Sequence, residues 1–467
     1  MSNIIRLKSM TIRNIKNVAY GKVEMPNCFN NILSYKNAEI LGLYGQNGSG
    51  KTTVIDVLFF LQNIMIGKEL PKEFIDYIGA NGNDAEIISE FNVFADDVIY
   101  EVVYCIEFQK RYDKAIVLKE SLKFAVNKDS ERKNLKLFVE YRNDYASEIF
   151  RPKNRLEEVI GDNKDYKIDL MVAKRIAEKS NCSYIFGEAS RNILTKIKFG
   201  EFADCSFIIN SLFRFALADL FVIRNSHSGM ISANLILPMA FRIDDYDKDC
   251  LGMKGDFPVS LNGPTLIPIE QLDVLRNIIA KINTVLSTII PNLNIEIKDY
   301  GQQSLDNGTE GIKIELLSKR GDVVIPIRME SDGIIKIISI LNALIQAFYN
   351  ESICIVIDEL DAGIFEYMLG ELIDIFNKYA RGQMVFTSHN LRALEMLSNE
   401  SIMFSTTNPS NRYIHMKNVK TTNNMRNMYL RSITLGGLAE EIYDETDSLK
   451  IARAFRVASR CAENGKK

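Results

Sequence analysis

The sequence predicts an α/β fold: a mixed sheet covered by helices, with an antiparallel β lobe and a mainly helical insertion. Three observations predict it. From residue 333 onward, apolar segments read in turn as helix (333–349), strand (353–357), helix (365–379), strand (383–387) and helix (391–398), the alternation of a parallel sheet between helices. A short apolar strand, ILGLYG at 40–45, runs through a glycine-rich turn into an apolar helix over 51–66. Finally, two strand pairs stand close by. IIRLKSMTI and VAYGKVE fall within 4–24, and VIYEVVYCIEF and AIVLKESLKFAV flank the polar QKRYDK within 97–126.

The remaining elements follow the same patterns. Residues 151–225 read as mostly helical, ending in the apolar run SFIINSLFRFALADLFVI, and sustain no heptad. Asp244–Gly263, rich in Asp, Gly and Pro, reads as an irregular loop. A helix at 268–289 and strands near 294–298, 312–317 and 322–327 complete the chain up to residue 333. There is no internal repeat and no low-complexity tract.

At 467 residues and 46% hydrophobic content the chain can bury a sizeable core in two or three units. The seven cysteines are scattered without a CxxC pair, and with only three histidines they point to neither a zinc site nor a disulfide framework. No uninterrupted apolar run reaches the ~18–20 residues of a membrane span, and the first residues carry no signal-peptide core, so the cytoplasm is the expected compartment. A net charge of −3 argues against a surface that is basic throughout.

Four motifs carry chemistry. GQNGSGKT, Gly45 to Thr52, matches GxxxxGK[ST] between a strand and a helix. Gly45, Gln46, Asn47, Gly48, Ser49, Gly50 and Thr53 form a cradle for phosphates; Lys51 offers a charge to the β- and γ-phosphates, and the Thr52 hydroxyl suits Mg²⁺. SICIVIDELD, 352–361, is an apolar strand ending in Asp358 and Glu359. Two adjacent acids at the end of such a strand call for a partner cation. Asp358 is then the Mg²⁺ ligand and Glu359 the general base for an attacking water. Ser331–Asp332–Gly333 opens a helix and presents a hydroxyl and N–H groups to an anion, although the same residues also make a good helix cap. His389 in FTSHN follows the strand 383–387, within reach of a γ-phosphate.

In this order the motifs resemble the ABC ATPase heads of the SMC, RecF and OLD group. The sequence is most similar to stand-alone ATPases of bacterial abortive-infection and anti-phage systems, such as those of OLD-like, Septu, AbiL and PARIS systems. The resemblance covers roughly 1–140, a lobe with the P-loop, and 265–467, a lobe with signature, acidic strand and histidine; the insertion is 141–264. It implies ATP and Mg²⁺ as ligands, Ser331 and Gly333 as a signature that contacts the γ-phosphate held by the opposite subunit, Asp361 as the D-loop aspartate and His389 as the switch histidine. It also implies an ATP-dependent homodimer. The signature reads ESDG rather than LSGGQ, DAGIFEYM lacks a His–Pro, and Gln109 is the candidate for a Q-loop glutamine.

Two basic stretches, 1–22 and 411–432, contain no acid and each could touch nucleic-acid phosphates, though a solvated face is the commoner meaning. The first could also serve ATP. About 75 residues follow His389, too few for a Toprim nuclease. The leading expectation is therefore a regulatory or sensor ATPase that controls a separate effector, a nuclease, in anti-phage defence. The alternatives are a RecF-like DNA-repair or chromosome-maintenance ATPase and, third, a transporter ATPase subunit.

Overall fold

The computed structural model describes residues 3–29, 35–79, 82–128, 134–144, 148–161, 163, 165–233, 235–243, 253–305, 308–416, 424–435, 440–444 and 446–464. Strands β1 (Ile4–Ile15) and β2 (Val18–Glu24) form the expected first pair. β3 (Glu39–Tyr44), buried along its length, leads into α1 (Lys51–Met65). After the single turn α2 (Phe74–Tyr77) come β4 (Asp84–Ala95), β5 (Val98–Arg111), β6 (Lys114–Lys128) and β7 (Lys136–Arg142). β5 and β6 are the hairpin read from 97–126, and with β1, β2, β4 and β7 they make a six-stranded antiparallel sheet ordered β2-β1-β4-β5-β6-β7.

Helices α3 (Lys153–Ile160), α4 (Asp165–Ser180), α5 (Glu188–Leu194) and α6 (Phe202–Arg214) share one apolar core with this sheet. The apolar run after Phe202 is not helical to its end. α6 passes through a π-helical turn into β8 (Leu220–Ile223), where aromatic and branched side chains favour a strand that joins the central sheet. Beyond α7 (Asn225–Ser232), β9 (Ile236–Ile243) pairs with β10 (Met253–Ser260). This corrects the irregular loop expected over 244–263: Phe257 and Val259 alternate into the core, and exposed Pro258 is tolerated in a two-stranded ribbon. Residues 244–252 of that expectation lie outside the described residues.

β11 (Thr265–Pro268), α8 (Leu272–Ile289), β12 (Leu293–Ser304), β13 (Glu310–Arg320) and β14 (Val323–Pro326) add a small antiparallel sheet backed by α8. Then follow α9 (Asp332–Tyr349), β15 (Cys354–Ile357), α10 (Glu366–Tyr379), β16 (Gln383–Thr387), α11 (Leu391–Met396), β17 (Ile402–Ser405), β18 (Tyr413–Ile414), α12 (Met425–Leu435) and α13 (Ser448–Asn464). The central sheet is ordered β18-β17-β3-β16-β15-β8, parallel except for β18.

Alternation along its strands divides the interior into two. Leu41, Leu43, Val356 and Val385 face the core shared with α1 and the antiparallel lobe; Ile40, Ile355, Ile357 and Phe386 face α8, α9 and α10. Among the described residues α9 alone is long and apolar enough to cross a membrane, by length and composition; most of it is buried in this second core.

One buried carboxylate ties the helices to the antiparallel lobe. Glu120 on β6 is fully buried and accepts from the Tyr104 hydroxyl (2.6 Å), the Ser183 hydroxyl and the backbone N–H groups of Tyr184 (2.7 Å) and Ile185 (3.1 Å). Burial pushes its acidity toward the neutral form, and these four donors oppose that. Glu120→Ala orphans all of them and is expected to lower unfolding stability by about 3 kcal/mol, with Glu120→Gln milder because it keeps volume and an acceptor. Denaturant midpoints of the two variants check this. Equal, small shifts would show that the network contributes little.

Candidate nucleotide-binding site

β3, β16 and β15 run side by side and parallel, so their carboxyl ends open on one edge of the central sheet. Open α/β sheets place ligand crevices there. Each strand delivers one motif: Gly45–Thr52 after β3, Asp358–Glu359 after β15 and Ser388–His389 after β16. Together they bound a cavity of about 450 Å³, lined by Asn47, Gly48, Gly50, Lys51, Thr52, Thr53, Glu359, Thr387 and His389, with Lys16 and Asn17 from the first hairpin turn.

The loop after β3 has the backbone this role needs. Gly50 caps α1 with φ 92° and ψ 10°, a left-handed conformation that favours glycine. No side chain caps the helix, which leaves its first turn open to an anion. Lys51 is 7% exposed and its ammonium donates to the carbonyls of Gly45 (2.8 Å) and Gln46 (2.9 Å). Burial lowers its pKa, and the carboxylates of Asp358, Glu359 and Asp361 pull it back up. Ser49 donates to the Gln46 carbonyl at 2.6 Å.

Asp358 is 2% exposed. Its Oδ1 accepts from the Thr387 hydroxyl (2.6 Å) and lies 3.4 Å from the Thr52 hydroxyl; its Oδ2 is buried without a hydrogen-bond partner. A buried carboxylate oxygen with no donor, one hydroxyl from the P-loop threonine, is an oxygen-rich place that fits a hard divalent cation such as Mg²⁺. Glu359 turns away from the strand with φ 48°; its N–H donates to the Thr387 hydroxyl (2.7 Å), and its carbonyl accepts from the ammonium of Lys336 on α9. The side chain lines the cavity. His389 lines it as well, and its backbone N–H donates to Asp361 Oδ2 at 3.0 Å. Partial burial and the Lys51 charge hold its imidazole below the ordinary pKa, against the pull of Asp361, Glu359 and Asp358.

Ser331 and Gly333 do not line this cavity. Ser331 stands at the N-cap of α9, exposed, and its side chain makes no capping bond. Gly333 sits against the loop after β15 so closely that a Cβ there would come within 1.8 Å of the Gly363 carbonyl oxygen. Gln109 pairs with Asp84 in the antiparallel lobe and is not part of the cavity wall.

Several participants escaped the sequence reading. Thr387 links both acids, Lys336 holds the Glu359 backbone, and the Asp444 N–H donates to Gln46 Oε1 at 2.8 Å. Nothing local marks them. Asn17, whose amide donates to the Gly48 carbonyl, and Lys16 lay within the first basic stretch.

The basic residues of the first stretch are paired with acids, and those of the second only in part. Arg6 is buried beside Glu39; Lys8 meets Glu90 and Glu101, Arg13 Glu86, Lys16 Asp56, and Lys22 Glu24. In the second, Arg412 is buried on the carbonyls of Thr406 and Asn17, Tyr413 donates to the Gly50 carbonyl, and Arg426 meets Glu395. Residues 417–423 of it lie outside the described residues.

Comparison with known proteins gives three findings. A family model described as "AAA domain, putative AbiEii toxin, Type IV TA system" matches residues 40–177. No curated protein matches the chain. Among solved structures, the chain is similar to the Smc head bound to the C-winged helix domain of ScpA (13% identity, 88% of this chain and 97% of that chain, TM-score 0.39). It is likewise similar to the Smc head domain with coiled coil and joint of Pyrococcus yayanosii (10% identity, 92% and 99%, TM-score 0.41) and to RecF bound to ATP (12% identity, 83% and 94%, TM-score 0.32). The architecture itself is α/β: a mostly parallel central sheet that carries the P-loop, a six-stranded antiparallel sheet, and helices packed on both.

Proposed function

We propose that the protein binds and hydrolyses ATP, pairs with a second copy over the nucleotide and so controls a separate effector, a nuclease, in anti-phage defence within the cytoplasm. The observation that carries the ATPase reading is the convergence of P-loop, Asp358–Glu359 and His389 at the ends of three adjacent parallel strands around one cavity. The P-loop backbone and the head of α1 hold the phosphates, and Lys51 leaves its loop carbonyls for the β- and γ-phosphates. Thr52 and Asp358 would hold Mg²⁺, which would neutralise charge on the phosphate oxygens. Glu359 accepts a proton from the attacking water as the bond from the γ-phosphorus to its bridging oxygen breaks. The imidazole of His389 donates a hydrogen bond to the γ-phosphoryl group. Asp361 positions it through the backbone.

The defence reading rests on the resemblance of the motifs and is supported by the toxin–antitoxin description of the family model matched at 40–177. Placing the destructive chemistry in a partner agrees with the acids seen here. Among the described residues the group close enough to share an ion is Glu86, Cys105 and Glu107, and Arg13 and Lys119 already neutralise its carboxylates. A RecF-like DNA clamp needs a continuous basic face, and the ion pairs of residues 6–22 weigh against one.

Lys51→Ala tests the foundation. Losing one charge-assisted contact to phosphate is expected to weaken ATP binding about 10–100-fold, read by titration with a fluorescent ATP analogue. Unchanged affinity would remove the nucleotide reading.

A further inference from the structure

We propose that α13 of one copy docks in the apolar groove between α8, α9 and α10 of a second copy when the two heads close over nucleotide. The inference rests on the paired-head reading above and adds to it a separate contact.

Every described side chain of α13 from Ser448 to Ser459 is exposed, Leu449 by 84% and Phe455 by 74%. Ile451, Phe455 and Ala458 recur at spacings of four and three and so share one face, with Lys450, Arg453 and Arg456 off that face. Such a helix takes most of its stability from packing that face, and no described residue of its own chain covers it. The groove is the matching gap. It holds about 290 Å³ between the three helices, walled by Ile289, Leu344, Phe348 and Ile375, the last 47% exposed.

Position argues for a second copy as the source. Residues 440–444 are fastened beside the P-loop: Thr407 N–H donates to the Glu441 carbonyl, Ile442 is buried, and Asp444 N–H donates to Gln46. α13 begins four residues later, so it leaves the head on the face that receives the partner's signature. The groove begins at Leu360 and Ile364, which flank the Gly363 that packs on Gly333. Closure that sets a P-loop against a partner's Ser331 therefore brings the root of α13 to the near end of the groove. The 17 residues of α13 span about 25 Å at 1.5 Å per residue, long enough to run along α9 and α10.

Charge agrees. Over its described side chains, 448–459, α13 carries Lys450, Arg453 and Arg456 and no acid, whereas α10 carries Glu366, Glu371 and Asp374 against Lys378. The same excess makes two α13 helices repel each other. A stripe of one Ile, one Phe and alanines suits close packing in a protein groove more than insertion into lipid.

The test uses the full chain in the Glu359→Gln background. With p-benzoylphenylalanine installed at position 455, light and isotopically heavy copies are mixed and irradiated with and without ATP. Crosslinks from position 455 to α9 or α10 are expected between light and heavy copies, and only with ATP. Phe455→Asp and Ile375→Asp should each weaken the ATP-driven dimer about tenfold or more, and the double variant little further. Crosslinks within one copy, between two α13 helices, or to added phosphatidylserine vesicles would overturn the inference, as would dimer affinity unchanged in both variants. If the parent dimerises with ATP in those cases, the paired-head reading stands and the α13 contact alone falls. If the parent does not dimerise, both fall.

Discussion

Glu359→Gln is expected to keep ATP bound while lowering turnover by about 10²–10⁴-fold, the range general-base catalysis supplies. The substitution is nearly isosteric and leaves its surroundings in place. The bond from the residue-359 N–H to Thr387 and that from Lys336 to the residue-359 carbonyl involve only backbone atoms of this residue, so the left-handed turn at φ 48° has no reason to relax. Asp358, with its unpartnered Oδ2 and its bond to Thr387, is untouched. What disappears is the carboxylate that takes the proton from water. Single-turnover release of phosphate measures the step, and size-exclusion with light scattering shows whether the ATP-bound variant accumulates as a dimer. Full turnover in the variant would move the base elsewhere. A wild type no faster than the variant would mean that Glu359 does no general-base work at this site.

The parts of this site that could be read in the sequence are those whose chemistry is local. The P-loop needs glycines, a lysine and a threonine in consecutive positions, and an apolar strand ending in two acids is conspicuous because burial of unpaired charge is costly. The strand–helix alternation from 333 to 398 carried its own periodicity and reappears element by element in α9 to α11. Where the sequence misled, tertiary context decided. Leu220–Ile223 is a strand because β15 offers it an edge, and Met253–Ser260 because β9 does. Thr387 and Lys336 matter through contacts with residues 23 to 29 positions away. The first basic stretch looked free only because most of its acidic partners, Glu86, Glu101 and Asp56 among them, come from other elements.

Ser331→Arg is expected to reduce ATP hydrolysis to background while leaving ATP affinity of the single chain within about twofold. The reason is geometric. Ser331 is exposed, its side chain makes no capping bond, and it stands outside the cavity that the same chain's P-loop forms. A residue in that position cannot complete its own site. It can complete a second copy's, in a two-fold pair where each head covers the other's γ-phosphate. Arginine there fills the space the phosphate needs and leaves the P-loop alone. Lys51→Ala has the opposite defect: a dead P-loop with an intact signature. Mixing the two variants in equal amounts gives heterodimers in half of random pairings. Each has one whole site, built from the Ser331→Arg chain's P-loop and the Lys51→Ala chain's signature. If one site suffices, hydrolysis should return to about a quarter of the wild-type rate, although neither variant is active alone. Ser331→Arg with normal hydrolysis would show that each head works by itself. An inactive mixture whose chains still form ATP-bound heterodimers would mean that both sites must fire together.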